Sequence, residues 1–224
     1  MRCFVVRAGI VGTTSWFRMP TFSHWLRATR VVLAQDGIPG IGRYLARRLY
    51  LRNSFRVFDR LLDAGPPTTY PPALTEVREA TPAERRMLRY AGEDFEGTSF
   101  WGELEPHAIC YLGFDGPRVV VVHWVSTDWE PNNLVPLGDG DCIVGPSVTV
   151  PDYRGKGVFT ASLSAVCDEL KARGLHRMWG LARIDNFGSI RGFEKLGFAP
   201  LGTVTLTRVL GVRHVDRSQL RPRD

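Results

Sequence analysis

The sequence predicts an α/β (α+β) fold in which a central β-sheet is flanked by helices. Short apolar runs alternate with helical patterns between Leu74 and Leu210, and Gly and Pro residues separate them. The chain has 224 residues, of which 44% are hydrophobic, and this is sufficient for one packed domain with an appendage. No apolar run reaches the roughly 18 residues that a transmembrane helix needs, so we expect no membrane span.

The predicted elements follow one another in a simple order. A capping box at Thr81–Glu84 starts the first helix, and Asp115-Gly116 marks a hairpin. In chain order we predict strand Leu74–Arg78, a helix from Pro82 to about Ala91, strands His107–Tyr111, Arg118–Trp124 and Cys142–Val150, helix Phe159–Arg173, strand His176–Ala182, helix Ser189–Leu196 and strand Leu201–Leu210. The last strand is expected to carry a bulge at Gly202.

The most informative segment joins the strand that ends at Val150 to the helix that follows. Pro151 ends the strand, and the basic run Arg154-Gly155-Lys156-Gly157 leads into the helix. Two glycines permit torsions that let consecutive N–H groups point at an anion, and the helix N-terminus adds its dipole. The pattern is typical of a phosphate-binding loop, although many glycine-rich turns only reverse the chain.

A second motif, Asn186–Phe198, follows after one predicted helix and one predicted strand. The pair of motifs resembles the GNAT superfamily of acyl-CoA N-acyltransferases. Arg154–Phe159 is similar to the family's pyrophosphate-binding motif Arg/Gln-x-x-Gly-x-Gly/Ala, and Asn186–Phe198 is similar to its Asn-x-x-Ala/Ser-x-x-x-Tyr-Glu-Lys-Leu-Gly-Phe element. The resemblance implies a mixed, mainly antiparallel central sheet of about six or seven strands flanked by helices.

The resemblance also implies a function and a division of labour. The expected reaction is transfer of an acetyl or short acyl group from acyl-CoA to a primary amine of a small molecule, by direct attack. In the family, the strand before the loop parts from its neighbour, and the pantetheine arm pairs with the exposed backbone, whose amides would face the thioester carbonyl. The residues expected to contact the cofactor are Val148, Thr149, Val150, Arg154, Gly155, Lys156, Gly157, Val158, Phe159, Thr160, Asn186, Ser189 and Phe193.

Three of these positions carry alternatives. Asn186 also fits the N-cap of a helix. Phe159 stands where the motif has Gly or Ala, and Phe193 stands where many relatives have a Tyr that protonates the leaving thiolate. An alkyl thiol has a pKa of about 8.5, so its thiolate is a tolerable leaving group without such help. A non-catalytic acyl-CoA-binding module is therefore the competing hypothesis.

The general base and the acceptor site are less defined. His123 and Asp141 are the candidate bases, with Glu130 as a further candidate, because a protonated amine must lose a proton before it attacks. His123 also fits a hydrogen-bonded core residue, and Asp141 fits a turn. The connection Ser126–Gly140 is polar and lies where substrate loops are found in this fold, although a plain surface loop would look the same.

Positive charge is concentrated near the N-terminus. Residues 1–62 contain 11 Arg and no Lys against two Asp, while the whole chain has a net charge of +6. Within them, Ile41–Arg52 has the spacing of a short basic amphipathic helix. Packing on the domain, peripheral contact with an anionic membrane and, least favoured, nucleic-acid binding stay open for it. We divide the chain into a basic helical arm with a Pro-rich linker (1–72), the acyltransferase domain (73–215) and a polar tail (216–224).

The cysteines indicate the compartment. None of the four has metal-ligand or redox-pair spacing, so we expect buried, reduced thiols in a cytoplasmic protein and no metal ion. The apolar stretch at the N-terminus is interrupted by Arg7 and lacks a cleavage site, so no secretion signal is predicted. The sequence leaves the oligomeric state open, with a homodimer as one alternative.

Overall fold

The computed structural model describes residues 50–63, 74–88, 108–128, 133–210 and 212–221. Over these residues the chain forms eight strands and three α-helices. The strands are β1 Tyr50–Leu61, β2 Glu76–Glu79, β3 Ala108–Asp115, β4 Arg118–Ser126, β5 Asp141–Thr149, β6 Arg177–Arg183, β7 Ala199–Val209 and β8 Val212–Leu220. The helices are α1 Pro82–Leu88, α2 Val158–Ala172 and α3 Phe187–Lys195.

All eight strands belong to one mixed sheet in the order β2-β3-β4-β5-β6-β1-β7-β8. The pair β5 and β6 is parallel, and the other neighbouring pairs are antiparallel. A parallel pair needs a crossover connection, which α2 supplies between β5 and β6. The predicted fold class, a mainly antiparallel mixed sheet flanked by helices, is confirmed.

Strand β1 is the main difference from the sequence analysis, which counted its residues with the N-terminal arm. β1 lies inside the sheet between β6 and β7, and the side chains of Val57 and Phe58 are fully buried. Polar residues interrupt the apolar pattern of this strand, which hid it in the sequence. The helix predicted over Ile41–Arg52 does not extend through Arg52, because Tyr50–Arg52 belongs to β1, and residues 41–49 lie outside the described residues.

The other end of the domain differs in a similar way. Leu201–Leu210 was predicted to close the sheet, but β8 follows β7 and pairs with it antiparallel. Residues 216–220, expected as part of a polar tail, are the second half of β8. Charged and polar side chains are typical of an edge strand, where they discourage pairing with another chain. The bulge expected at Gly202 is present, since Val57 pairs with Gly202 and Phe58 with Pro200.

Side chains of the central strands alternate between two apolar layers. Phe58, Val144 and Met178 pack against α2 and α3 on one face, while Val57, Ile143 and Trp179 pack on the other. The apolar face of α2 is buried along its length, from Val158 to Leu170. This burial fixes the helix across the sheet and holds the loop before it at the end of β5. Among the described residues, no helix is both long and apolar enough to cross a membrane.

Candidate functional site

Strand β5 pairs with β6 over only the first half of its length. Its pairing with β6 runs from Asp141 and Arg177 to Val144 and Gly180, whereas its pairing with β4 continues to Thr149. Pro146, two residues after the last pair with β6, lacks an N–H, so the strand loses a ladder donor at this point. β6 continues beyond Gly180 to Arg183, paired there with β1, while its pairing with β5 has ended, so β5 and β6 part after Val144. We call residues Gly145–Thr149 the open half of β5 and Asp141–Val144 its closed half.

The antiparallel ladder determines which backbone groups face this opening. Val150 donates its N–H to the Val120 carbonyl at 3.0 Å, so Val150 is hydrogen-bonded to the β4 side. Because residues of an antiparallel strand alternate in direction, Val148 also bonds toward β4, while the N–H groups of Ser147 and Thr149 point away from it. Of the three strand residues expected to contact the cofactor, Thr149 presents its amide to the opening.

The loop after β5 places further N–H groups next to the opening. Gly155 and Gly157 have φ of 76° and 78°, a left-handed conformation that favours glycine, and a Cβ at either would meet nothing within 4 Å. The amide of Ala161 bonds to the Gly157 carbonyl at 3.0 Å as α2 begins. The amides of Val158, Phe159 and Thr160 precede this bond in the first turn and are free of intrahelical partners. They form the positive end of the helix dipole, which attracts anions.

The loop is held at its root by side chains. Arg154 donates from Nε to the Thr149 carbonyl at 3.0 Å, and Tyr153 donates its hydroxyl to Asp115 at 2.5 Å. The bond to Asp115 raises the pKa of the Tyr153 hydroxyl. Lys156 Nζ and Arg118 lie over the Tyr153 ring, at 5.4 and 5.6 Å from its centre. Positive side chains therefore lie near the loop, and the hydrogen bonds of Arg154 and Tyr153 fix its backbone.

His123 lies directly beside the open half of β5. Its backbone pairs with Ser147, and its side chain is fully buried between two hydroxyls. Nδ1 lies 2.8 Å from the Ser147 Oγ, and Nε2 lies 2.7 Å from the Ser162 Oγ. Burial lowers the pKa of His123 to about 3, so the ring is neutral at physiological pH. A ring with so low a pKa is a weak proton acceptor from solution.

Asp141, the other candidate base, lies in the closed half of β5. Its Oδ2 accepts hydrogen bonds from Trp179 Nε1 at 2.9 Å and from the Gly138 amide at 3.0 Å. Its Oδ1 lies 3.7 Å from Arg177 Nε. These contacts satisfy the carboxylate at the start of the strand, and the structure does not bring it together with the opening. Glu130 lies outside the described residues, as do Trp129 and Asn132 in the same connection.

Phe193 and Phe159, the two departures from the family motifs, pack against each other. Their ring centres are 5.8 Å apart, and Phe193 also stacks on Phe58 at 5.3 Å. Each ring lies against a glycine: a Cβ on Gly180 would approach the Phe193 ring to 2.5 Å, and one on Gly192 would approach the Phe159 ring to 2.7 Å. The rings fill the apolar space behind the last paired residues of β5 and β6.

The second motif forms the start of α3. The Asn186 side chain accepts a hydrogen bond from the Ser189 amide at 3.1 Å, which makes Asn186 the N-cap of the helix. Asn186 is exposed, and Ser189 is half-buried. Asn186 follows β6 closely, so α3 begins beyond the end of the strand that borders the opening.

Sequence reasoning did not single out Ser147 and Ser162. A long connection separates β4 from β5, so the register that places Ser147 opposite His123 could not be read from the sequence. Ser162 lies one helical turn after Val158, on the buried face of α2. That position was the available signal, because a Ser on an apolar helix face needs a hydrogen-bond partner.

A parted pair of parallel strands beside a glycine loop and a helix N-terminus offers backbone donors along the strand and a positive dipole at its end, which is an arrangement suited to an extended ligand with an anionic end. The chain belongs to the acetyltransferase (GNAT) family, whose family model matches residues 73–198. The resemblance of the two motifs to this family is thereby confirmed. Members of the family transfer acyl groups from acyl-CoA to amines of small molecules or proteins.

Solved structures show the same fold at low sequence identity. A GCN5-related N-acetyltransferase from Sphaerobacter thermophilus is 17% identical in sequence and matches with a TM-score of 0.53. The match covers 84% of this chain and 59% of the other chain. A putative GNAT acetyltransferase from Novosphingobium aromaticivorans is 18% identical with a TM-score of 0.52, covering 70% and 63%. The chain thus spans about three fifths of the length of these two proteins. No curated protein matches the sequence.

Proposed function

We propose that this protein transfers an acetyl or other short acyl group from acyl-CoA to a primary amine of a small molecule. The observation that supports this most is the continuity between the open half of β5, the loop and the first turn of α2. An extended arm that carries amide groups would pair with the backbone of Ser147 and Thr149 as an added strand would. A diphosphate at the end of that arm would meet the amides of Gly155–Thr160.

The backbone of the open half also suits the reaction. When an amine attacks a thioester, the carbonyl oxygen gains negative charge, which a preorganised N–H stabilises. The Ser147 and Thr149 amides are the donors that face the opening. The C–N bond forms as the C–S bond breaks, and the thiolate, whose thiol has a pKa of about 8.5, leaves without an acid at Phe193. No covalent enzyme intermediate is required.

The proton of the attacking ammonium must leave before the C–N bond forms. His123 and Asp141 are the candidate groups, and the geometry favours His123, since only it is linked to the open half, through the Ser147 hydroxyl. Its low basicity suits a hydrogen-bonding role better than direct proton abstraction. We therefore propose that water carries the proton away from the amine.

The binding step is tested by substitution at two matched glycines. Gly157 and Gly174 bracket α2, have φ of 78° and 84°, and would each place a Cβ in open space. Replacing either by Ala imposes a similar backbone cost of about 1 kcal/mol. We expect Gly157→Ala to weaken acetyl-CoA binding by about tenfold in titration calorimetry, because it disturbs the loop amides. Gly174→Ala should bind as the wild type does, and equal losses in both variants would contradict the proposed site.

Catalysis is tested separately with acetyl-CoA and a panel of amines, following release of free thiol. Amine-dependent release is the expected result. Phe at position 193 favours one competing function, a non-catalytic acyl-CoA-binding module, because a phenyl ring has no proton to donate to the leaving thiolate. Tight binding without turnover would support that module, especially if Phe193→Tyr then restored thiol release. Failure of the wild type to bind acetyl-CoA would exclude both functions.

A further inference from the structure

The hydroxyls of Ser162 and Ser147 and the ring of His123 form one chain of hydrogen bonds whose direction can be worked out. Ser162 lies in α2 and donates from Oγ to the Val158 carbonyl at 2.7 Å, with the Phe159 carbonyl at 3.1 Å. A hydroxyl has a single proton, and a carbonyl can only accept. In the arrangement in which Ser162 keeps this short bond, its hydroxyl proton lies on the backbone of its own helix.

This arrangement is compatible with only one tautomer of His123. Since Ser162 has no proton left for the ring, its Oγ must accept from His123 Nε2, 2.7 Å away. A neutral imidazole carries one N–H, so Nδ1 has none and acts as an acceptor. Ser147, 2.8 Å from Nδ1, must then donate its own proton to the ring. The hydroxyl proton of Ser147 is then engaged in the hydrogen bond to the ring.

Ser147 is left with an oxygen that can accept but not donate. The residue is half-buried and lies in the open half of β5, where its backbone N–H faces away from β4. We propose that the Ser147 hydroxyl oxygen accepts a hydrogen bond from an N–H group of a bound substrate. In this arrangement His123 and Ser162 are positioning residues, because they act by directing the Ser147 proton away from the substrate.

Two substrates of the proposed reaction carry such an N–H: the amide groups of the acyl-CoA arm and the amine acceptor. The inference rests on the proposed function for the identity of the substrate, but the proton arrangement does not. An acceptor-only hydroxyl binds a donor and is left with an unfavourable contact when it meets a second acceptor. The site would therefore select an amide or amine over a ligand that presents only oxygen acceptors at this point.

The tautomer is measured on the unliganded wild type by ¹⁵N NMR of the histidine side chains, with His123→Gln to assign the signals. We expect a protonated Nε2 and an unprotonated Nδ1 for His123. A protonated Nδ1 would overturn the proposal, because Ser147 would then keep its proton for the ligand. Ser162→Ala removes the acceptor of Nε2, so the signals of His123 should change in that variant.

The substrate contact is measured with Ser147→Ala, Ser147→Thr and, as a matched control, Ser54→Ala, whose hydroxyl bonds to Thr205 Oγ1 at 2.9 Å between β1 and β7. Loss of one hydrogen bond should cost about fivefold in Ser147→Ala, with recovery in Ser147→Thr. A weaker Kd for CoA alone identifies the cofactor amide as donor, whereas a raised KM for an amine from the panel, at unchanged Kd, identifies the acceptor.

Three results would overturn the contact. Unchanged Kd and KM in Ser147→Ala would show that no substrate uses the hydroxyl. An acetyl group on Ser147, detected as a mass increase of the intact protein after mixing with acetyl-CoA, would make Ser147 a nucleophile instead. Absence of acetyl-CoA binding in the wild type would remove the proposed function and the contact together, while the tautomer would still be measurable.

Discussion

The two halves of β5 differ in what lies on either side of them. The closed half pairs with β6 along its whole length, Ile143 and Val144 also pair with β4, and its residues are buried. The open half keeps β4 alone and ends at a loop of left-handed glycines. A fully paired strand has no backbone groups left for a ligand, whereas a half-paired strand offers them in a regular row. Within the nine residues of β5, the closed half therefore supports the sheet, and the open half offers backbone groups to a ligand.

The largest effect is expected at the boundary between the halves, where the Phe193 ring lies against Gly180. Phe193 is 4% exposed, and Phe193→Ala should lower the free energy of unfolding by about 3–5 kcal/mol because it leaves a cavity among aromatic rings. Phe187→Ala in the same helix is the control, since Phe187 is 65% exposed and should change stability by less than about 0.5 kcal/mol. Urea unfolding measures both. Equal effects would mean that Phe193 does not support the sheet behind the opening.

A smaller loss of stability is expected in the closed half. Asp141→Ala leaves the Trp179 indole N–H and the Gly138 amide without their acceptor, which should cost about 2–3 kcal/mol. Asp139→Ala, at an exposed neighbouring position, should be nearly neutral. The folded Asp141→Ala protein should bind acetyl-CoA with unchanged Kd. A large loss of turnover in protein that remains folded would instead identify Asp141 as the general base.

The neutral His123 ring, which lies beside the open half, should make the stability of the protein depend on pH. The pKa of His123 falls from 6.5 to about 3 on folding, so the unfolded chain binds the proton more tightly. Its contribution to stability is complete above pH 6.5 and is lost as the pH falls toward about 3. By pH 5 the loss relative to neutral pH should be about 2 kcal/mol. Acid residues titrate in part of the same range, so the wild type is compared with His123→Gln. Parallel stability curves for the two proteins would show that the ring is not held neutral.

Local sequence signals predicted the parts of the fold that depend on local chemistry. The capping box at Thr81–Glu84 is present, with the Thr81 amide donating to Glu84 Oε2 at 2.8 Å and the Glu84 amide donating to Thr81 Oγ1 at 3.3 Å. The strand, loop and helix around Arg154–Gly157 also lie where the glycine and proline positions predicted them. Each of these signals lies within a few consecutive residues, which is why it can be read from one sequence.

Features that depend on distant parts of the chain were not predicted. β1 lies between β6 and β7, more than a hundred residues later in sequence, and the polar residues along it gave no strand pattern. The contacts of Ser147 and Ser162 with His123 exist only because β4, β5 and α2 bring the two hydroxyls to opposite sides of the ring. Registers between strands joined by long connections are set by tertiary packing, and no local pattern encodes them.

Amide hydrogen exchange along β5, followed residue by residue with and without acetyl-CoA, tests the division of this strand most directly. Binding should slow exchange at Ser147 and Thr149 and at the loop amides from Gly155 to Thr160, because these groups gain partners. Exchange at Ile143 and Val144 should stay the same, since both neighbouring strands already protect them. Unchanged exchange at Ser147 and Thr149 in protein saturated with acetyl-CoA would contradict the account.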